Sequence, residues 1–224
     1  MKNLNFKHLY DDSYFQDRNL KDEKRIKSFE QEKELLYKYI NDGLICDVGC
    51  GTGEFLSKIN WPGKRYGMEL NENAINIAKT RGIKFDKDIL NQIAFFDVII
   101  FRGTIQHLPN PFFYIQNAYK SLKPGGFIVF LATPNMNSIY YKFFSNLPML
   151  DDKLNFFIPS DKTLSNILIN FDFIISEIEK PYIKSPYANF LSDHYRFLKK
   201  MLFKTDDDFP FWGNSMNMIA QKRF

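Results

Sequence analysis

The chain has 224 residues, 45% of them hydrophobic and 17% aromatic, with a formal net charge of +4. Such a chain can bury a substantial core without disulfides, and its two cysteines, Cys46 and Cys50, lack the partners of a zinc site. Its modest, dispersed charge does not indicate a nucleic-acid interface, and no window approaches the roughly 18 apolar residues of a membrane span. Without an apolar signal core near Met1, the expected location is cytoplasmic, and no carboxylate or histidine cluster indicates a metal.

The predicted elements divide the chain into three parts of one domain. Residues 1–42 form an N-terminal cap, in which helical spacing of apolar residues predicts a helix from about Asp22 to Ile40. Residues 43–135 alternate strands and helices, which predicts a mostly parallel sheet. Residues 136–224 hold an acceptor lid and the C-terminal strands, with these predicted elements: a helix at Lys162–Asn170, a strand at Phe173–Ile178, a helix near Asp193–Phe203 and a strand at Met216–Ala220.

A glycine-rich turn follows the first predicted strand and reads Asp47-Val48-Gly49-Cys50-Gly51-Thr52-Gly53. Glycines let the loop backbone approach a ligand and adopt positive φ, and the ligand then meets free amides at a helix N-terminus. The dinucleotide fingerprint would need glycine where this chain has Glu54, which disfavours NAD. The second predicted strand ends in Glu69, an acid suited to ribose hydroxyls, so an adenosine ligand is favoured.

Five segments occur in a fixed order: Asp47–Gly53, Glu69 at the end of the second strand, Asp88-Ile89 after the third, Phe96–Phe101 as the fourth, and Leu122–Phe127 leading into the fifth. Together they resemble the class I S-adenosylmethionine (SAM)-dependent methyltransferases. The resemblance is strong over residues 43–135 and weaker outward. It implies a doubly wound, Rossmann-like α/β fold with a seven-stranded, mostly parallel sheet, the last strand antiparallel, and helices on both faces.

The resemblance implies SAM as methyl donor and S-adenosylhomocysteine as product. The residues that it assigns to the cofactor are Asp47, Gly49, Cys50, Gly51, Gly53, Glu69, Leu70, Asp88, Ile89, Arg102 and Tyr14. In this assignment Asp47 orders the glycine turn and faces the cofactor amine, and Glu69 accepts the ribose hydroxyls. Asp88 and Ile89 bracket the adenine, although Asp88 also suits a solvated turn. Tyr14 lies in an aromatic segment that folds over SAM in some relatives or simply packs.

Catalysis is harder to place, because methyl transfer from a sulfonium needs a base only when the acceptor is protonated. Positioning and exclusion of water can supply most of the acceleration. Of the three histidines, His107 follows the fourth strand at the carboxyl edge, where ligands of such sheets bind. It is a candidate base, with a cofactor-side or structural role as the alternative. Its neighbour Gln106 stands where many relatives carry glutamate.

The predicted acceptor pocket draws on the loops at 136–160 and 180–193, where the family builds it. Its candidate residues are Gln106, Asn135, Tyr140, Tyr141, Tyr187 and His194. Uncharged hydrogen-bonding groups among aromatics suit a polar ring such as a sugar, although the tyrosines also suit packing of a lid. For Ser192 or Asp193, a helix N-cap is favoured over a catalytic pair with His194.

The acceptor is predicted by resemblance and not by chemistry. Phe101-Arg102-Gly103-Thr104 replaces the motif of base-methylating enzymes, which disfavours DNA, and Asn110-Pro111 suits a helix cap. The segments 132–138 and 209–214 resemble a small bacterial branch found with cell-surface polysaccharide biosynthesis. They imply O-methylation of a sugar, a nucleotide-activated sugar or a phosphoramidate-type glycan substituent for capsule or lipopolysaccharide. A quinone-precursor-like metabolite, a non-catalytic SAM-binding subunit and, less favoured, an NAD oxidoreductase stay open.

Overall fold

A computed structural model describes residues 23–86, 88–147, 155–182, 185–203, 210–211 and 213–224. Within these ranges the helices are α1 (Glu23–Tyr37), α2 (Glu54–Lys58), α3 (Glu72–Thr80), α4 (Pro111–Ser121), α5 (Ile139–Phe144), α6 (Asp161–Asn170) and α7 (Phe190–Phe203). The strands are β1 (Ile45–Val48), β2 (Arg65–Met68), β3 (Phe96–Arg102), β4 (Leu122–Pro134), β5 (Phe173–Glu179) and β6 (Ser215–Lys222). Tyr14, parts of both predicted acceptor loops, Phe209 and Trp212 lie outside the described residues.

The strands form one sheet in the order β2-β1-β3-β4-β6-β5. Strands β1 to β4 run parallel, whereas β6 pairs antiparallel with both β4 and β5. The mostly parallel sheet with an antiparallel last strand is therefore confirmed. Within the described ranges it has six strands instead of the predicted seven. At the position of the predicted third strand, Lys84 forms a single parallel bridge with Tyr66, and Phe85 and Asp86 belong to no strand.

Helices cover both faces of the sheet, as predicted for a doubly wound fold. Alternate side chains of β3 point to opposite faces. Val98 and Ile100 pack in a core cluster with residues of α1, α2 and α3. Ile99 and Phe101 pack in a second cluster with residues of α4 and α6. Because helices cover both faces, the carboxyl ends of the parallel strands form the edge of the sheet at which loops can build a site.

Two helices begin at asparagine side-chain caps, and the cap predicted at Asn110 is confirmed. The Asn71 side chain accepts a hydrogen bond from the Ala74 N–H, and the Asn110 side chain accepts one from the Phe113 N–H. The start predicted for the last helix is wrong. Helix α7 begins three residues before Asp193, and the Asn189 side chain caps it by accepting the Ser192 N–H.

Asp193 is buried within α7 instead of capping it. Its carboxylate accepts hydrogen bonds from the backbone N–H groups of Asn189 and Phe211 and from the Tyr182 hydroxyl. A buried carboxylate with these partners ties the start of α7 to the segment before β6.

Among the described residues, no helix is both long and apolar enough to cross a membrane.

Candidate active site

The glycine turn between β1 and α2 packs tightly against the end of β3. Gly49 has a φ of 77°, and its N–H donates to the Met68 carbonyl at 2.7 Å. A Cβ at Gly49 would lie 2.4 Å from Cγ2 of Thr104, which real Cβ atoms do not tolerate. Both the backbone angle and the space therefore require glycine, so the turn holds one fixed shape.

Glu69, which follows β2, holds the turn from the other side. Its Oε2 accepts the Gly51 N–H at 2.9 Å, and its Oε1 accepts the N–H groups of Leu70 and Asn71 at 2.7 and 3.1 Å. A carboxylate offers about four lone-pair sites, so room remains for a ligand hydroxyl. The acid predicted to bind a ribose thus also orders the glycine turn.

Asp47 is a buried carboxylate at the start of the turn, with 2% of its surface exposed. Among the described residues its Oδ1 has no hydrogen-bond partner. Burial raises the pKa of Asp47 to about 8; the positive charge of Arg102 opposes the shift, and the charges of Glu69 and Glu32 add to it. A buried oxygen without a donor is well suited to a ligand ammonium group.

Arg102, at the end of β3, forms a two-point ion pair with Glu32 of α1. Arg102 Nε lies 2.6 Å from Glu32 Oε2, and Arg102 Nη2 lies 3.2 Å from Glu32 Oε1. The guanidinium also lies over the Phe29 ring, with Cζ 4.3 Å from the ring centroid. The sequence analysis did not identify Glu32 as a site residue. An acid between Phe29 and Leu36 on the apolar side of a helix nevertheless indicates a buried partner.

Two neighbouring cavities share Arg102. The smaller, of about 50 Å³, lies over the glycine turn and is lined by Arg25, Asp47, Gly49, Cys50, Gly51, Thr52, Glu54, Phe55 and Arg102. The larger encloses about 660 Å³ between α1, the ends of β4 to β6 and the segment after β5. The smaller has room for a few ligand atoms, and the larger for a whole small molecule.

The larger cavity has a polar floor and an aromatic wall. At the floor, Ala132 adopts a φ of 48° where the pairing of β4 with β6 is irregular. The Asn217 oxygen accepts the Ala132 N–H at 2.9 Å, and both residues line the cavity. Tyr182, Tyr187 and Phe211 form the wall. Irregular strand positions of this kind recur beside active sites, where they redirect polar groups.

The structure separates the residues predicted to form the acceptor pocket. Tyr187 lines the larger cavity, and His194 lines a third cavity of about 540 Å³ beside it. The sequence did not identify Tyr182, Phe211 and Asn217 as cavity residues. The signal for Asn217 was a polar side chain inside an apolar strand.

Asn135, Tyr140 and Gln106 are buried and line neither of the first two cavities. The Asn135 oxygen accepts the N–H groups of Asn137 and Asp161, so this side chain shapes the chain after β4. Tyr140 packs against Phe144. The pocket role of these three residues stays a prediction.

Tyr141 is half-buried on α5 and lines neither of the first two cavities. His107, the candidate base, is half-buried in a short 3-10 helix (Ile105–His107) and also lines neither of them. Its Nε2 lies 3.2 Å from Nε2 of Gln106. Base catalysis by His107 therefore stays a prediction.

The remaining residues that the resemblance assigns to the cofactor differ in their exposure. Asp88 is exposed and its Oδ1 accepts a hydrogen bond from the Asn91 side chain, whereas Ile89 is buried in the core. Leu70 is exposed beside Glu69. Cys50 lies so close to β2 that a Cβ at Gly67 would meet its Sγ at 2.5 Å. Adenine contacts by this group stay a prediction.

The sequence of this chain is similar to those of known methyltransferases. Residues 22–177 match the family model of a methyltransferase domain. A ubiquinone biosynthesis O-methyltransferase of Coxiella burnetii is 32% identical over 124 residues, which are 50% of each chain. The corresponding enzyme of Hydrogenovibrio crunogenus is 29% identical over 115 residues, or 45% of this chain and 46% of its own. The chain thus spans about half the length of the curated relatives it matches.

Solved structures show the same fold at low identity. A SAM-dependent methyltransferase of Thermotoga maritima is 17% identical with a TM-score of 0.64, over 97% of this chain and 99% of the other. A SAM-dependent methyltransferase of Archaeoglobus fulgidus is 20% identical with a TM-score of 0.63, over 95% of this chain and 100% of the other. Because the family model matches well over half of the chain, the chain belongs to the methyltransferase-domain family.

Proposed function

We propose that the protein moves a methyl group from SAM to an oxygen atom of a small polar acceptor held in the larger cavity. The observation that carries this proposal is the shared position of Arg102, which borders both the glycine-turn cavity and the larger one. The residues that line them include Asp47, Arg102 and Ala132, at or near the carboxyl ends of β1, β3 and β4. Ligands of open α/β sheets bind at this edge.

The residues of the glycine turn fit SAM. The buried Asp47 oxygen suits the amino group of the methionine part, and the small cavity beside it has room for that end of the molecule. Glu69 has accepting capacity left for ribose hydroxyls. When bound, SAM supplies a methyl group on a positively charged sulfur.

The chain's own contribution is to hold the acceptor and to exclude water. Asn217 has its oxygen occupied by Ala132, so its amide nitrogen is the group that it can offer as a donor. Arg102 uses Nε and Nη2 on Glu32 and borders the cavity, so it stands close to an acceptor oxygen there. Fixed donors of this kind orient the acceptor for an in-line displacement.

A neutral, hydroxylated acceptor agrees with the lining of the cavity. Its lysines are already paired: Lys38 bonds to Glu177 and Glu179, and Lys180 bonds to Asp161. Tyrosines beside such balanced charge suit the faces and hydroxyls of a sugar. This lining supports O-methylation of a sugar hydroxyl. The resemblance to the polysaccharide-associated branch alone extends the proposal to a nucleotide-activated sugar or a phosphoramidate-type glycan substituent.

A second candidate acceptor is a hydroxylated ring of the quinone-precursor type, which the names of the relatives favour. A transfer assay separates the candidates. The purified chain is incubated with SAM carrying a radioactive methyl group and with nucleotide sugars, catechols or duplex DNA. We expect labelled sugar; labelled catechol would select the second candidate. SAM binding without any transfer would favour a non-catalytic subunit, and labelled DNA would overturn the acceptor proposal.

Glu69→Ala is expected to weaken SAM binding by about 1–3 kcal/mol, because it removes charge-assisted hydrogen bonds to the ribose and to the glycine turn. Isothermal titration of SAM measures the change. The matched control is Glu72→Ala, which removes an exposed glutamate three residues away on α3. An unchanged affinity of Glu69→Ala for SAM would show that Glu69 does not bind the cofactor.

His107→Asn tests the predicted base. A base acts on the acceptor proton, so its loss is expected to lower kcat at least tenfold while SAM affinity stays within about twofold. Turnover close to that of the unmodified protein would show that His107 is not the base. A parallel loss of SAM affinity would instead indicate a cofactor-side role.

A further inference from the structure

Helix α7 exposes its apolar side and buries its polar side. Its outward side chains include Leu191, Tyr195, Leu198 and Leu202, whereas Asp193 and Lys200 are buried. At about 100° per residue, the positions from Phe190 to Tyr195 on the helical wheel span an arc of about 140° that is apolar except for His194. An amphipathic helix normally buries such an arc, so α7 is oriented opposite to expectation.

The neighbouring helix α5 extends this apolar surface. Ile139 and Phe143 of α5 are exposed, and the Phe143 ring meets the Phe197 ring of α7 edge-on at 5.4 Å. We name the exposed apolar residues that share this side of the two helices the α5–α7 face: Ile139, Phe143, Phe190, Leu191, Tyr195, Leu198, Met201 and Leu202. Contiguous exposed apolar surface of this extent marks a site of contact with a protein or a membrane.

The charge on α5 and α7 distinguishes between these occupants. The two helices carry four cations, and their one anion, Asp193, is wholly buried. Lys142 is exposed, Lys199 follows the apolar arc on the helical wheel of α7, and Arg196 Nη1 lies 3.9 Å from Oδ1 of Asp193. A second copy of the chain would bring the same cations face to face, which repels. A basic rim around an apolar helix face instead matches an anionic lipid surface.

The α5–α7 face also adjoins the acceptor cavity. Ile139 and His194 line the cavity of about 540 Å³, and that cavity shares Lys180 and Tyr182 with the larger one. We propose that the protein docks through the α5–α7 face on an anionic membrane surface, lying on the bilayer without crossing it. Leu191, Leu198 and Leu202 enter the boundary between headgroups and acyl chains, while Lys142 and Lys199 meet the headgroups.

Vesicle co-sedimentation of the full chain tests this proposal. We expect binding to phosphatidylcholine vesicles that contain about one third phosphatidylglycerol, and weaker binding to phosphatidylcholine alone or at high salt. Leu191→Gln/Leu198→Gln is expected to weaken binding to the anionic vesicles at least about tenfold. The matched control is Ile93→Gln/Ile169→Gln, because Ile93 and Ile169 are 82% and 55% exposed, close to the 80% and 57% of Leu191 and Leu198.

Each alternative outcome is distinct. Failure of the unmodified chain to sediment with anionic vesicles would overturn the proposal, as would equal loss of binding in the control variant. A dimer in sedimentation equilibrium that Leu191→Gln/Leu198→Gln dissociates would assign the face to a second copy. A Lys142→Gln/Lys199→Gln variant keeps the apolar side chains. Unchanged vesicle binding of this variant would show that the two lysines do not contact the headgroups. None of these readouts depends on SAM or on methyl transfer.

Discussion

Replacing Asp47 with asparagine is expected to weaken SAM binding at least tenfold while stabilising the free protein. A hydrogen bond to a charged group contributes about 1.5–3 kcal/mol, which corresponds to about 10- to 150-fold in affinity. The asparagine amide cannot neutralise an ammonium group. Titration calorimetry measures the affinity, and thermal denaturation of the same samples measures the stability.

The stability gain follows from the sign of the pKa shift. Burial raises the pKa of Asp47 to about 8 from an ordinary value of 3.8, so between these values the folded chain binds a proton that the unfolded chain has lost. The contribution of Asp47 to stability is therefore greatest below pH 4 and falls as the pH rises to about 8. Asparagine does not titrate, so the advantage of Asp47→Asn should grow over this range.

By pH 8 the Tm of Asp47→Asn should exceed that of the unmodified chain by at least about 2–4 °C, the shift produced by about 1 kcal/mol in a chain of this size. Glu72→Gln makes the same chemical change on the exposed side of α3 and should show no such trend. A Tm difference that stays constant from pH 5 to pH 8 would contradict the burial of an ionisable Asp47.

Arg102→Met is expected to destabilise the protein by about 3 kcal/mol, because it leaves the Glu32 carboxylate buried without its partner. Glu32 is the more deeply buried of the two, with 6% of its side chain exposed against 18% for Arg102. Since both side chains border cavities that admit water, the cost should fall at the lower end of the range for broken buried pairs. Urea denaturation measures the change.

The double variant Glu32→Leu/Arg102→Met should recover most of that loss, because an apolar pair replaces the ion pair without an unpaired charge. The resulting cycle gives the coupling energy between the two residues. The matched control is the exposed pair of Arg223 and Asp172, at 61% exposure each, where Arg223→Met should cost less than about 1 kcal/mol. Additive effects of the two single variants would contradict a direct interaction.

The sequence predicted best what depends on neighbouring residues. The glycine turn, the cap at Asn110 and the parallel strands each follow from short-range pattern, and the structure contains all three. The Glu32–Arg102 pair joins residues 70 positions apart, so no local pattern could pair them. At the position of the third predicted strand, the structure has a single bridge at Lys84.

The acceptor side was harder because side-chain direction there depends on tertiary contacts. A six-residue helix such as α5 has no periodicity long enough to show that Tyr140 points inward. The apolar pattern of α7 predicts that its leucines are buried. Instead, the hydrogen bonds of Asp193 to the backbone of Phe211 and to Tyr182 hold the polar side inward. The cavity wall is therefore built by residues that the sequence did not single out.

Calorimetric titration of the purified chain with SAM, S-adenosylhomocysteine and NAD tests the central claim most directly. Binding of both SAM-type ligands without NAD is the predicted result, because Asp47 and Glu69 match the amino group and the ribose, whereas Glu54 stands where a dinucleotide site needs glycine. Binding of NAD alone, or of none of the three, would contradict the assignment of the glycine turn to SAM.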